Sequence, residues 1–226
     1  MESLDGIELF RYSEYEWMSR ARDSGWVSKT GVFIKDEQAG IQLRLAEWPS
    51  GAVEPMHTHP GTHATTILRG SIEVDGLRLE ALDVVVGYGG VPHGPLSFPE
   101  GAFILSALQQ DLGNHEHVAV EGAEPHPCAN PTTSNPWLKG TGGGDRKILV
   151  TDVLGRLTIT CHRYPSGGPV TNFEPGSFRA LMLLSGSASV GVTTLEEWDL
   201  LRIHSVDHAE IEVMSGATLL EWSIAN

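Results

Sequence analysis

Cysteine is nearly absent: the 226 residues contain Cys128 and Cys161 alone, with no CxxC pair. That excludes a thiolate metal cluster and a disulfide scaffold, and it predicts two reduced, structural cysteines. Basic residues are scarce as well. The 15 Lys and Arg stand against 29 Asp and Glu, for a formal charge of −14. Such a chain gains nothing from counterion release on nucleic acid and is repelled by anionic membranes. No apolar run reaches the roughly 18 residues that cross a bilayer, and the opening MESLDGIELFRYSEYEW has neither the basic start nor the apolar core of a leader. Together these absences predict a soluble, cytoplasmic protein with no nucleic acid and no membrane among its partners. What remains is 40% hydrophobic and 19% charged, with 26 glycines and 13 prolines, the composition of a turn-rich globular β protein. The length suits one large or two small domains, each with a core.

Histidine is concentrated in one stretch. GAVEPMHTHPGTHATTILRG, from Gly51 to Gly70, sets His57, His59 and His63 between two glycines, and Val91-Pro92-His93-Gly94 follows about thirty residues on. His57 and His59 are two apart, so in an extended strand both imidazoles leave the same face. Pro60-Gly61 is a turn-forming pair that can bring His63 round to the same point. Imidazole ligates zinc, copper, iron and nickel, and four histidines leave room on an octahedral ion for water or substrate. A single histidine in a strand reads as hydrogen-bonded or solvated, but four at these spacings read as one metal site. His115, His117 and His126 sit in a segment of Pro, Asn and Gly and read as solvated loop residues, with His115 and His117 at most a weak adventitious site.

Gly51, His57, His59, His63 and Gly70 fit the pattern Gly-(five residues)-His-x-His-(three residues)-ligand-(six residues)-Gly, which resembles the first motif of the cupin superfamily. Tyr88-Gly89-Gly90-Val91-Pro92-His93 approximates the second motif, centred on Pro-x-Gly-x-x-His, and Asp83 falls where cupins often carry an acidic turn residue. Two departures stand out: His63 replaces the usual glutamate, and Tyr88 the usual proline. The resemblance implies a small jelly-roll barrel (a double-stranded β-helix) with the ion inside, held by His57, His59, His63 and His93. It also implies a homodimer paired through strand edges.

The chain repeats itself. Adding 116 to the numbering sets Pro165-Ser166-Gly167 opposite Pro49-Ser50-Gly51, and Leu184, Gly186 and Ser187 opposite Leu68, Gly70 and Ser71. Val190, Leu195, Glu196 and Asp199 continue the match with Val74, Leu79, Glu80 and Asp83. The expected fold is therefore all-β, with two tandem cupin barrels in one chain. Residues 1–113 would form the metal-bearing barrel, 114–146 a Pro/Gly-rich linker, and 147–226 a degenerate barrel without metal. In the second copy His57, His59 and His63 become Phe173, Pro175 and Arg179, and His93 falls near His208. Phe and Pro cannot ligate an ion, so this half reads as a structural or interface domain. Arg179 would either hold a carboxylate or phosphate in a vestigial pocket or pair with an acid such as Glu174.

Short apolar runs support this reading: Ile41 to Trp48, Thr65 to Leu68, Ser71 to Val74, Leu77 to Leu82, Asp83 to Val86 and Phe103 to Leu108. They recur at Lys147 to Thr151, Arg156 to Arg163, Ala180 to Leu184, Ser187 to Val192, Asp199 to Ile203, Glu210 to Val213 and Thr218 to Ala225. In the first forty residues Trp17 and Trp26 suggest docking onto a barrel, and Glu14 to Arg22 a short helix.

One divalent ion on four neutral imidazoles keeps its full charge and favours an anionic or enolisable small-molecule substrate. With iron(II), the favoured metal, the centre resembles the histidine-only cupin dioxygenases, and oxygen-dependent oxidation of an enolisable or aromatic compound is the favoured activity. Zinc, nickel or manganese would instead give a non-redox isomerase, cyclase or lyase, similar to the cupin isomerases and polyketide cyclases. A non-catalytic ligand-sensing or storage module is a further alternative. Tyr88 is the candidate proton donor, or else a core tyrosine with its hydroxyl on the backbone. Arg44 and Gln42 share a strand face and are the candidate substrate-binding pair, although a solvated face explains them equally. Glu54 is a candidate acceptor for an imidazole N–H, or a surface turn residue.

Overall fold

The computed structural model describes residues 2–4, 6–22, 24–109, 118–119, 122, 124–140, 144–153, 156–170, 176–204 and 210–225. Among these the chain is all-β, with one 3-10 turn at Tyr12–Glu14, and no helix is long and apolar enough to cross a membrane. The residues form two compact units, 16–134 on one hand and 1–15 with 135–226 on the other.

In the unit spanning 16–134, a large antiparallel sheet runs in the order Ala129–Asn130, Val84–Gly87, His63–Gly70, Ala102–Gln109, Ile41–Trp48, Val27–Asp36, Met18–Ala21. A smaller sheet follows the order Leu77–Leu79, Ile72–Val74, Leu96–Phe98, Ala52–Glu54. Alternation in these strands turns one set of side chains inward. Trp48, Ile67, Val85 and Ile104 from the large sheet thus share a core with Ala52, Ile72, Leu79 and Phe98 from the small one. Trp48 and Phe98 stack with centroids 4.4 Å apart. This is the face-to-face packing of two sheets that defines a jelly-roll barrel.

The other unit repeats the plan. Its large sheet is ordered Glu2–Leu4, Ile7–Phe10, Leu200–Ile203, Gly176–Ser185, Ala217–Ala225, Leu157–Tyr164, Asp145–Val153, Leu138–Lys139. Its small sheet is ordered Gly168–Pro169, Ile211–Val213, Ala188–Val190, Thr193–Leu195. Leu181, Leu183, Leu201 and Leu219 pack against Ala188, Val190, Ile211 and Val213.

The units divide differently from the sequence expectation. Ile7–Phe10 pairs with Leu200–Ile203, so residues 1–15 complete the second barrel rather than the first. Part of the expected linker, Cys128 to Thr132, is barrel wall. Ala129–Asn130 pairs with Val84–Gly87, and the Asp75 carboxylate accepts the N–H groups of Cys128 at 2.6 Å and Ala129 at 2.8 Å. Asp83 accepts the Thr132 N–H at 2.7 Å. Buried N–H groups need such acceptors, and two carboxylates supply them here. The helix expected at Glu14 to Arg22 is instead the 3-10 turn followed by the edge strand Met18–Ala21. Trp17 docks on this barrel as expected, its ring 6.2 Å from that of Phe103. Both cysteines are buried free thiols. Burial pushes each up to about 12, with the Asp75 charge adding to the effect at Cys128, so neither is a thiolate nucleophile. His115, His117, Phe173, Glu174, Pro175 and His208 lie outside the described residues.

Candidate metal centre

His57 and His93 face each other as an antiparallel bridge. Each backbone N–H donates to the other's carbonyl at 3.0 Å, which sets the two imidazoles on one side with centroids 4.5 Å apart. The His59 ring lies 4.9 Å from that of His93 and 4.7 Å from that of His63. His57, His59 and His93 form a group whose ligand atoms all lie within 4.8 Å of one another. His63 starts its strand opposite Gly87 and Leu108, and its Nε2 is 3.4 Å from His93 Nε2. All four rings are buried.

Each ring is seated by a partner two residues away. His57 Nδ1 lies 2.8 Å from the Pro55 carbonyl, His93 Nδ1 lies 3.0 Å from that of Val91, and His59 Nδ1 meets that of Gly61. A carbonyl only accepts, so each of these Nδ1 atoms carries the proton and the Nε2 lone pair turns to the cluster. His63 Nδ1 lies 2.9 Å from Thr65 Oγ1, which is 2.7 Å from Ser106 Oγ, so the Thr65 hydroxyl can accept from the ring and donate onward. The Pro55 carbonyl, rather than Glu54, stands at His57 Nδ1.

These residues fit a metal ion on two observations. Converging Nε2 lone pairs in a buried site repel one another, and a cation between them turns the repulsion into ligation. Gly87, next to the cluster, leaves room for that. A Cβ there would come within 2.7 Å of His93 Nε2 and closer still to His63 Nε2. Thr65→Val keeps the side-chain shape but removes the oxygen that seats His63. Metal affinity is expected to fall by about 10- to 100-fold, measured by competition with a chelator. An unchanged affinity would show that His63 takes no part.

The centre opens into a cavity within this unit. Its wall includes His57, His59 and His63, the apolar Trp48, Ile72, Val85, Phe98 and Ile104, the hydroxyls of Thr30, Thr65 and Ser106, and the charged Arg20, Arg22, Arg44 and Glu54. Cross-strand partners share a face, so the pairing orders the positions. Gln42, Leu108, His63 and Gly87 form one row across the sheet, and Arg44, Ser106, Thr65 and Val85 form the next. Arg44 lines the cavity, whereas its strand-mate Gln42 is buried in the histidine row and is not among the lining residues.

Tyr88 does not reach the site. Gly87 faces the histidines, so the pleat sends the next residue to the opposite side. Tyr88 is 47% exposed, with its ring 5.8 Å from that of His126. The sequence reading missed Arg20 and Arg22. Their spacing of two was the available signal, but a helix was expected there.

At the matching place in the second unit, Arg179 is buried and donates from Nε to Glu221 Oε1 at 2.7 Å, while Glu221 Oε2 lies 2.7 Å from His162 Nε2. Of the two expectations for Arg179, pairing with an acid is observed, and the acid is Glu221.

No protein-family model and no curated protein matches the chain by sequence. Solved structures do match by shape. A proposed dioxygenase of Nostoc punctiforme superposes with a TM-score of 0.77 at 14% identity, over 99% of this chain and 84% of that one. Oxalate decarboxylase of Bacillus subtilis, described with Mn(II) centres, superposes at 0.66 and 11% identity, over 100% and 78%. The fold is that of the cupins. In these cupin barrels the histidine cluster lies on the inner wall of one unit, and the other unit carries Arg179, Glu221 and His162 on its large sheet.

Proposed function

We propose that His57, His59, His63 and His93 hold one divalent ion and that the chain is a metal-dependent cupin enzyme, an oxygen-dependent dioxygenase of a small enolisable or aromatic anion. The observation that carries this reading is the seating of all four imidazoles, each with Nδ1 against an oxygen, with His57, His59 and His63 at the wall of a cavity lined by arginines and apolar side chains. Bound there, the ion supplies Lewis-acid polarisation and, as iron(II), electrons for oxygen. Arg44, one row from His63, orients a substrate carboxylate beside the cluster. Trp48, Phe98, Ile72 and Ile104 exclude water and favour a hydrocarbon or aromatic body. Glu54, the carboxylate of the wall, is placed to accept a substrate proton at a side-chain oxygen.

Elemental analysis of protein purified without a metal-affinity step should find one transition metal per chain. Protein loaded with iron(II) should consume oxygen in proportion to an added diketone or aromatic 2-oxo acid. Turnover that persists under nitrogen with zinc, nickel or manganese would overturn the oxidative reading. It would place the reaction among the isomerases, cyclases and lyases.

A further inference from the structure

Three arginines, with the carboxylate Glu54, line one cavity of a protein whose net charge is −14. They occupy different levels. Arg44 stands one cross-strand row from His63. Arg20 pairs with Ser28, next to Lys29, which pairs with Glu47. That places Arg20 at the level of Trp48, four residues along the sheet from Arg44, or about 13 Å at ~3.3 Å per residue. Arg22 is fixed at the same end. Its Nε donates to Ser28 Oγ at 2.8 Å, its guanidinium carbon lies 4.5 Å from the Trp48 ring centroid, and Nη1 is 3.9 Å from Glu54 Oε2. A planar cation stacked on an aromatic face and held by a hydroxyl is pre-organised for a carboxylate. Between the two levels the wall carries Ala46, Ile104 and Thr30, whose hydroxyl is already spent on the Leu45 carbonyl at 3.0 Å.

We infer that the cavity takes an elongated dianion, with an acidic head at the histidines beside Arg44, a hydrocarbon or aromatic body, and a second carboxylate at the far end on Arg20 and Arg22. This rests on the proposed function for its head group, but the far-end site stands on the arginines alone. A substrate as short as oxalate would span only the first level.

Titration of the full chain, followed by its tryptophan fluorescence, tests this because Trp48 lies in the cavity wall. The probes are succinate, suberate and sebacate, with octanoate and decanoate as singly charged controls, each against metal-free and metal-loaded protein. Suberate or sebacate should bind at least about tenfold more tightly than the monocarboxylate of equal length, the worth of one charged contact. Succinate should show no such gain. Arg20→Gln, on an edge strand, should erase the preference while metal stoichiometry stays unchanged, and Arg20→Lys should restore part of it. Equal binding of mono- and dicarboxylates, or an Arg20→Gln protein that keeps the preference, would overturn the inference. A protein that takes up no metal yet keeps the preference would sink the metal reading alone, and one that takes up metal without the preference would sink this one alone.

Discussion

Alanine at position 87 is expected to abolish stoichiometric metal binding while every histidine stays in place. Gly87 ends the strand Val84–Gly87 opposite His63, and its φ is not among the left-handed ones, so its backbone makes no demand for glycine. The demand is for space. One added methyl group would sit within 2.7 Å of His93 Nε2 and nearer to His63 Nε2, closer than carbon and nitrogen can approach. The rings must then rotate, and rotation breaks the contacts of His63 Nδ1 with Thr65 and of His93 Nδ1 with Val91. Losing the seating of one ligand costs about 10- to 100-fold in affinity, and losing two together with the space between them takes binding below stoichiometry. Overpacking costs about 1–3 kcal/mol of stability, so the fold should persist. Isothermal titration with zinc or manganese, read beside circular dichroism and a melting curve, separates the two effects. A folded Gly87→Ala protein that binds one ion per chain with unaltered affinity would refute a shared centre. Arg179→Ala, in the other unit, should leave binding as it is.

The repeat was legible because turns are local. Leu82 and Trp198 both take a left-handed backbone, at φ 75 and 73, immediately before Asp83 and Asp199. Each of these aspartates accepts the N–H of the glutamate three residues back, Glu80 or Glu196, at 3.0 Å. Gly51 and Gly167 (φ 78 and 73) and Asp75 and Gly191 (φ 55 in each) preserve the same corners. The histidine spacing was legible for the same reason, since strand alternation and a Pro-Gly turn act within a few residues. Where partners are far apart in sequence, the signal was lost. Asp199 is also the acceptor for the Tyr12 N–H at 2.9 Å and for the Arg11 guanidinium at 2.8 Å. No local pattern reveals that residues 7–12 are captured by an aspartate so much further along the chain. Arg20 and Arg22 were hidden likewise: a short edge strand owes its conformation to its neighbour Val27–Asp36, and intrinsic preference alone read it as helix. Tyr88 failed by one position, because a strand reverses its face at each residue and the inward place belongs to Gly87.

In the second barrel, Glu221→Leu is expected to cost about 3–5 kcal/mol, because it leaves Arg179 buried without its carboxylate. The bond from Arg179 Nε to Glu221 Oε1 is 2.7 Å long, and the two side chains are 7% and 14% exposed. Burial alone would push the Glu221 carboxyl up. The hydrogen bond and charge of His162, together with the charge and hydrogen bond of Arg179, outweigh it and hold the carboxyl below its ordinary 4.5. A carboxyl whose folded value is depressed contributes stability that is present above the unfolded value, about 4.3, and lost as pH falls through the lower folded value. Wild-type protein should therefore lose this contribution in acid, whereas the Glu221→Leu protein should lack that part of its acid dependence. Arg179→Met combined with Glu221→Leu should recover most of the loss, since an apolar pair of similar volume replaces a buried ion pair at little cost. Denaturant unfolding of the wild type, both single variants and the double variant gives the coupling directly. If the double variant is as unstable as the sum of the singles, the pair is not coupled. If metal binding in the first barrel also falls, the second is more than a structural repeat. The expected outcome is strong coupling with metal stoichiometry unchanged: where the first barrel gathers imidazoles, the second satisfies the matching position from within its own sheet.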